Sequence, residues 1–275
     1  MRYGLVSDIH SNLVALNAVL DALEQVGPLD GLICMGDMVG YGPQPNAVVE
    51  RLREYQLSTI LGNHDLAVIE KLDLGDFNQD AVDANVWTRF QLSDENRAWL
   101  EGLCQGEYMG AYAEINDKVT LAHGSPAEPI WQYLTTPYAA SYSFPRFNTP
   151  LCFIGHTHLP RIFRMAQASP VLEALQQSDE IPAKEKKALK KQAKIDMRIP
   201  EAGYVLEVGE DRIILNPGSV GQPRDGDPRA AYALFDDQTM TITFGRVAYD
   251  ISVTQALMHE YKLPSRLSLR LDYGL

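Results

Sequence analysis

Five short clusters hold most of the residues in this chain that could do chemistry. Asp8-Ile9-His10, Gly36-Asp37, Gly62-Asn63-His64-Asp65, His123-Gly124 and Gly155-His156-Thr157-His158 gather five of the six histidines beside Asp, Asn and Gly. Only His259 stands apart, on a C-terminal helical stretch, and it is assigned no role. Histidines placed for packing would not collect beside loop-forming residues in this way. Carboxylate, imidazole and amide oxygen without thiolate form a donor set for Mn, Fe, Zn or a similar divalent ion. An Asp-x-His pair on a loop offers two ligands to one ion, and a His-x-His pair at a strand end turns both imidazoles to the same side. Asp37 can bridge two ions through its two oxygens. Taken singly, Asp8, Asp37 and Asn63 could be caps or turn formers and His123 a core histidine. Their recurrence together is what argues for metal chemistry.

These clusters must be delivered by strands alternating with helices. Residues 3–7 read as a strand. Ser11 can cap a helix in which Leu13, Leu16, Leu20 and Leu23 recur at helical spacing, and Gly27-Pro28 stops it. A strand at 31–35, a Gly/Pro-rich loop at 40–45, a helix at 46–55 and a strand at 58–61 follow. Asp8, Asp37 and Asn63 each come just past a strand end. Such an alternation implies a parallel sheet, whose ligand crevice lies outside the carboxyl ends of the strands. Residues 66–103 read as helices, with Ser93 a cap. Strands are then expected at 108–115 and 118–122 around the turn Asn116-Asp117, and at 151–154 leading into His156. Further strands are expected at 204–208, 212–215, 231–235 and 240–244, with a last helix from Asp250 to Tyr261. The pattern is two sheets face to face with helices outside, in one domain, because the ligands come from both halves.

The composition narrows the function classes. The 275 residues carry a net charge of −12, which argues against non-specific binding to nucleic acid or an anionic membrane. No apolar run approaches the length of a bilayer span. The first strand runs straight into Asp8, leaving no room for a signal peptide. Cys34, Cys104 and Cys152 are few, odd in number and far apart, as in a reducing compartment. A cytoplasmic location is expected. Six of the nine lysines fall within residues 184–194, inside a helical, lysine-rich insertion expected at about 167–202. That stretch reads as a solvated excursion or as a basic flap for an anionic substrate or acidic partner.

The ordered series Asp8-x-His10, Gly36-Asp37, Gly62-Asn63-His64-Asp65, His123 and Gly155-His156-x-His158 resembles the calcineurin-like metallophosphoesterase family. The segment Asn216-Pro217-Gly218-Ser219-Val220-Gly221 looks like one found near the end of small bacterial members. The resemblance implies an α/β fold, a four-layer α/β/β/α sandwich of two mixed sheets flanked by helices, with a dinuclear metal centre. It also implies that Asp8, His10 and His158 hold the first ion and Asn63, His123 and His156 the second, with Asp37 between them. His64 would face the substrate and assist the leaving group. Two ions about 3.5–4 Å apart would clamp phosphate oxygens and acidify a shared water.

The run after Asp37 departs from the protein serine/threonine phosphatases and diadenosine tetraphosphatases of the superfamily. Gly40 and Tyr41 stand where those enzymes place a carboxylate that orients the histidine and an arginine that grips phosphate. Phosphoprotein substrates are thereby disfavoured, and phosphodiesters or small nucleotides preferred. Asp65 is a candidate to orient His64, although neighbouring side chains seldom bond to each other. Arg224 or Arg229, on a turn-rich loop, could supply the phosphate clamp. Asn12 could contact substrate or simply cap a helix. The alternatives are a scaffold of the same fold that lost catalysis, and a nuclease that would bind through residues 184–194. No heptad run bears on oligomeric state.

Overall fold

Alternating apolar residues decide the layering. The structure, a computed structural model, describes residues 1–166 and 194–275. In chain order the elements are β1 (Arg2–Val6), α1 (Leu13–Val26), β2 (Gly31–Cys34), α2 (Pro45–Arg53), β3 (Leu57–Thr59), α3 (Asn63–Val68), α4 (Gln79–Gln91) and α5 (Asp94–Leu103). Then come β4 (Tyr112–Glu114), β5 (Val119–Ala122), α6 (Pro137–Ser143), β6 (Leu151–Ile154), β7 (Arg161–Met165) and β8 (Ile195–Arg198). The chain continues with β9 (Val205–Glu207), β10 (Arg212–Asn216), β11 (Ala230–Asp236), β12 (Thr241–Val247), α7 (Ile251–Glu260) and α8 (Ser265–Leu269).

Two six-stranded mixed sheets result, in the orders β3-β2-β1-β11-β12-β9 and β4-β5-β6-β10-β7-β8. Strands β1, β2 and β3 are parallel in the first, and β5, β6 and β10 in the second. Leu5, Ile33, Phe153, Leu215 and Phe235 point between the sheets and form a shared core. Their neighbours Val6, Leu32 and Cys34 face outward onto Leu16, Leu20, Val48 and Leu52 of α1 and α2. On the opposite side Cys152, Ile154 and Ile214 pack with Ala140 and Phe144. This is the expected α/β/β/α sandwich, with a strand period of two placing successive residues in different layers. The parallel strands β2 and β6, buried along their whole length, read as unbroken apolar runs.

Some elements differ from expectation. The helix cap of α1 is Asn12, whose side chain accepts from the Ala15 N–H, rather than Ser11. Residues 108–111 are not strand, because Gly106, Met109 and Gly110 take positive φ and turn the chain before β4 begins at Tyr112. Strands β7 and β8 and helices α6 and α8 were not expected. Most of the insertion at 167–202, including the lysine-rich residues 184–193, lies outside the described residues. Its end is not helical: Ile195–Arg198 forms strand β8, paired antiparallel to β7. Among the described residues, no helix is long and apolar enough to cross a membrane.

Candidate metal centre

The loops that leave the carboxyl ends of β1, β2, β3, β5 and β6 converge at one end of the sandwich. They carry Asp8 and His10, Asp37, Asn63 and His64, His123, and His156 and His158 respectively, and all eight side chains are buried. Five of these residues, Asp8, His10, Asp37, His156 and His158, hold φ between 48° and 64°. Non-glycine residues seldom adopt this left-handed conformation, and its clustering at one rim is local strain held by the surrounding fold. The strain lets each chain turn back sharply as it leaves its strand and aims the side chain inward.

Two groups of donors emerge. Asp8, His10, Asp37 and His158 bring their ligand atoms within 4.8 Å of one another, and so do Asp37, His123 and His156. Asp37 belongs to both. Its Oδ2 lies 3.6 Å from His10 Nε2 and 3.3 Å from His123 Nε2. The amide oxygen of Asn63 joins the second group, 3.2 Å from His123 Nε2. The residues expected to bind two ions are therefore brought together in the expected partition.

The imidazoles are oriented from behind. His10 Nδ1 donates to the Val39 carbonyl at 3.2 Å, His123 Nδ1 to Met35 at 2.7 Å and His158 Nδ1 to Gln222 at 2.6 Å. Each bond fixes the tautomer that leaves Nε2 as a lone pair facing the centre. His156 is reversed, since its Nε2 meets the Trp131 carbonyl at 3.1 Å and so leaves Nδ1 inward. Two lone pairs then confront each other across the 3.1 Å between His10 Nε2 and His158 Nε2. That contact is repulsive unless a cation is shared. Asp8 Oδ2 is likewise buried without a hydrogen-bond partner. Both observations fit a site built for positive ions.

Electrostatics agree. Burial pushes the Asp8 carboxyl up to about 7, partly offset by the His123 charge. Burial would also raise Asp37, yet the neighbouring His123 and His64 hold it well below the usual carboxylate range. Burial alone would lower His123, but Asp37 beside it carries it up to about 9. Burial holds His10 and His158 well below the usual imidazole range and presses His156 down to about 3. His10, His156 and His158 are thus neutral beside an ionised Asp37, the protonation states that bind a metal. His123 would give up its proton to an ion that takes its place.

Glycine is required twice here by close approach. A Cβ on Gly62 would collide with Asp37 Oδ1, and one on Gly40, at φ +85°, would stand 2.8 Å from His64 Nδ1 and 2.9 Å from Asn85 Oδ1. The space at Gly40 admits a contact that the sequence did not disclose. His64 Nδ1 lies 2.9 Å from the amide oxygen of Asn85, a buried residue on α4. Asp65 does not orient His64. Its two oxygens accept the Val39 and Gly62 N–H groups, bracing the loops on either side. The signal for Asn85 in the sequence was a lone polar residue between Ala84 and Val86, with no motif around it.

The other expected contacts separate. Arg224 places its guanidinium 6.0 Å from the Tyr41 ring centre, and its charge is felt by Asp8, His10, His64 and His158. Arg229 instead forks onto Asp227 at 2.6 Å, exposed on the surface. Asn12 is spent on structure: beyond its cap it donates to the Gly221 carbonyl and accepts from Thr254 Oγ1. The segment 216–221 acts as scaffold. Asn216 donates to the Gly155 carbonyl at 2.7 Å and Ser219 Oγ to the Asp8 carbonyl at 2.7 Å, tying the two ligand loops together. His259 lies on α7, away from the clustered histidines. Cys34 and Cys152 are buried in strands and take no part.

Comparison with known proteins agrees with this geometry. A family profile described as Calcineurin-like phosphoesterase superfamily domain matches residues 1–172. The crystal structure of a metallophosphoesterase from Sphaerobacter thermophilus is 40% identical, covers 100% of this chain and 99% of its own, and superimposes with a TM-score of 0.79. An uncharacterised protein of Methanocaldococcus jannaschii is 34% identical over 276 residues, covering 98% of this chain and 97% of its own. Serine/threonine-protein phosphatase 2 of Escherichia coli is 28% identical over 132 residues, 47% of this chain and 60% of its own length. With a buried Asp/His rim shared between two sheets and these likenesses, the chain belongs to the calcineurin-like metallophosphoesterase superfamily.

Proposed function

We propose that this protein is a metal-dependent phosphoesterase that hydrolyses small phosphate esters, with phosphodiesters and nucleotides preferred over phosphoproteins. The observation that carries the reading is Asp37, one buried carboxylate common to two ligand groups. Asp8, His10 and His158 would hold one divalent ion with it, and Asn63, His123 and His156 the other. Carboxylate, imidazole and amide oxygen suit Mn, Fe or Zn, and manganese is the ion chosen for the test. Two such ions, when bound, neutralise phosphate charge and make water acidic enough to attack near neutral pH.

The protein's own residues do the rest. The buried rim keeps bulk water from the reacting ester, which strengthens every charge interaction there. Arg224 offers a guanidinium to the phosphate oxygens and balances the charge that develops on them. It fills from another loop the place that Tyr41 leaves without an arginine. His64 is fixed through Nδ1–H on Asn85, so Nε2 is the atom that takes up and gives a proton. Burial keeps the ring neutral without substrate. A bound anion favours the protonated ring, which then donates Nε2–H to the leaving oxygen.

The test is hydrolysis of p-nitrophenyl phosphate and bis-p-nitrophenyl phosphate by metal-stripped protein reloaded with Mn²⁺. Turnover that appears only on reloading, and is faster on the diester, is expected. No turnover of either ester at full metal loading would overturn the enzyme reading in favour of a binding module.

A further inference from the structure

A cleft of about 670 Å³ opens beside the metal rim, walled by Tyr41, Tyr133, Asn78, Arg224, Arg266 and Arg270. That volume lies within the range of ligand pockets. Its two tyrosines connect it to the site. The Tyr41 ring stands 4.3 Å from His64 and 4.6 Å from His10, and the Tyr133 ring 4.2 Å from His156. Whatever fills the cleft therefore reaches the reacting centre.

Three guanidinium groups gather here in a chain whose net charge is −12. Several arginines elsewhere find carboxylates, among them Arg51 with Glu54, Arg89 with Glu70, Arg164 with Asp211 and Arg246 with Asp225, while Arg2, Arg161 and Arg212 donate to backbone carbonyls. Among the described residues, none of Arg224, Arg266 and Arg270 has an aspartate or glutamate oxygen within 4.0 Å, although Asp80 lines the same cleft. Arg224 donates to Gln222 Oε1 at 3.0 Å and keeps its Nε buried without a partner. Arg270 Nε donates to the main-chain oxygen of Leu275, the last residue of the sequence, which lines the same cleft. No side-chain hydrogen bond of Arg266 is found among the described residues. Burial lowers the pKa of Arg270, and the neighbouring charges of Arg224 and Arg266 lower it further. Like charges held this close call for an anion between them.

Resting on the phosphoesterase reading, we infer that the cleft seats a second phosphate group of the substrate, gripped by Arg266 and Arg270 while Arg224 serves the phosphate at the rim. The preferred substrate class is then a small molecule carrying two phosphates, one hydrolysed and one held. Arg266 and Arg270 are specificity residues and touch no reacting atom.

The test compares adenosine 3′,5′-bisphosphate with adenosine 5′-monophosphate, as competitive inhibitors of p-nitrophenyl phosphate turnover and as ligands of the metal-free protein in calorimetry. Wild-type protein is expected to bind the bisphosphate at least about tenfold more tightly, the scale of one added charge-assisted pair. Arg266→Ala should erase that advantage and leave the monophosphate affinity and the KM for p-nitrophenyl phosphate unchanged. Arg270→Gln, with an unaltered melting temperature as its control, should do the same. Equal affinity for the two nucleotides in wild type, or an advantage that survives Arg266→Ala, would overturn the inference. Inorganic phosphate that binds in an Arg266-dependent way without a bisphosphate advantage would also overturn it, and would mark a product exit instead. Calorimetry on metal-free protein separates these outcomes from a failure of the enzyme reading, which would appear only as absent turnover.

Discussion

The two ligand groups at the rim are unequal, and the inequality lies in one side chain. The first group has a carboxylate of its own, Asp8, besides the shared Asp37; the second has the neutral amide of Asn63 in the corresponding place. Around the first, His10 and His158 are held neutral by burial, with lone pairs already converged at 3.1 Å. In the second, His123 takes a proton that Asp37 balances. The lesson is that one scaffold can build a tight, charge-rich position beside a looser one. Two formal charges against one predict that the first ion binds more strongly than the second.

Substitutions can break that asymmetry. Asp37→Asn removes the residue common to both groups, so both ions should be lost or weakened together. Turnover should fall by more than the roughly 100-fold that loss of an outer-shell partner costs; elemental analysis after desalting and initial rates check both. Retention of two ions with normal rates would refute the shared role. His64→Ala should keep both ions and lower turnover by about 10²-fold, the low end for loss of a general acid. Unchanged rates on the mono- and diester alike would remove His64 from the mechanism. Asn63→Ala touches only the looser position. It should weaken the second ion by about tenfold or more while the first is retained, as a metal titration would read directly.

A last contrast sets the buried rim against exposed charge. Asp227 is held below the usual carboxylate range chiefly by its hydrogen bonds to Arg229. Its contribution to stability is therefore present at neutral pH and lost as pH falls through the depressed value. Both side chains are substantially exposed, so the contribution should stay under about 1 kcal/mol. Melting curves of wild type and Arg229→Ala should differ slightly at pH 7 and converge as pH falls through the depressed value of Asp227. A large difference at pH 7 would show the fork to be more than a surface pair.

How far the sequence could be read follows from where the information sits. The ligand residues were legible because each stands within a few positions of the end of an apolar parallel strand, so spacing and composition speak together. The four-layer sandwich came from the same strands and from the resemblance. Strand β7, with Arg161 and Arg164 interrupting its apolar positions, gave no strand signal, and the five-residue helix α8 is too short for periodicity. Missing α8 meant missing Arg266. Asn85 was not legible because its partner, His64, lies 21 positions away on another element. Arg224 and Arg229 share one turn-rich loop, and only the fork between Arg229 and Asp227 separates their roles. Contacts made across the fold, rather than along the chain, are what the sequence withheld.

The central claim is that two metal positions share Asp37. It is tested most directly by titrating metal-stripped protein with Mn²⁺ and following electron paramagnetic resonance. At one equivalent a mononuclear six-line signal should dominate, and at two it should give way to an exchange-coupled spectrum that Asp37→Asn abolishes. A six-line signal that saturates at one ion, or two uncoupled ions in wild type, would contradict the account.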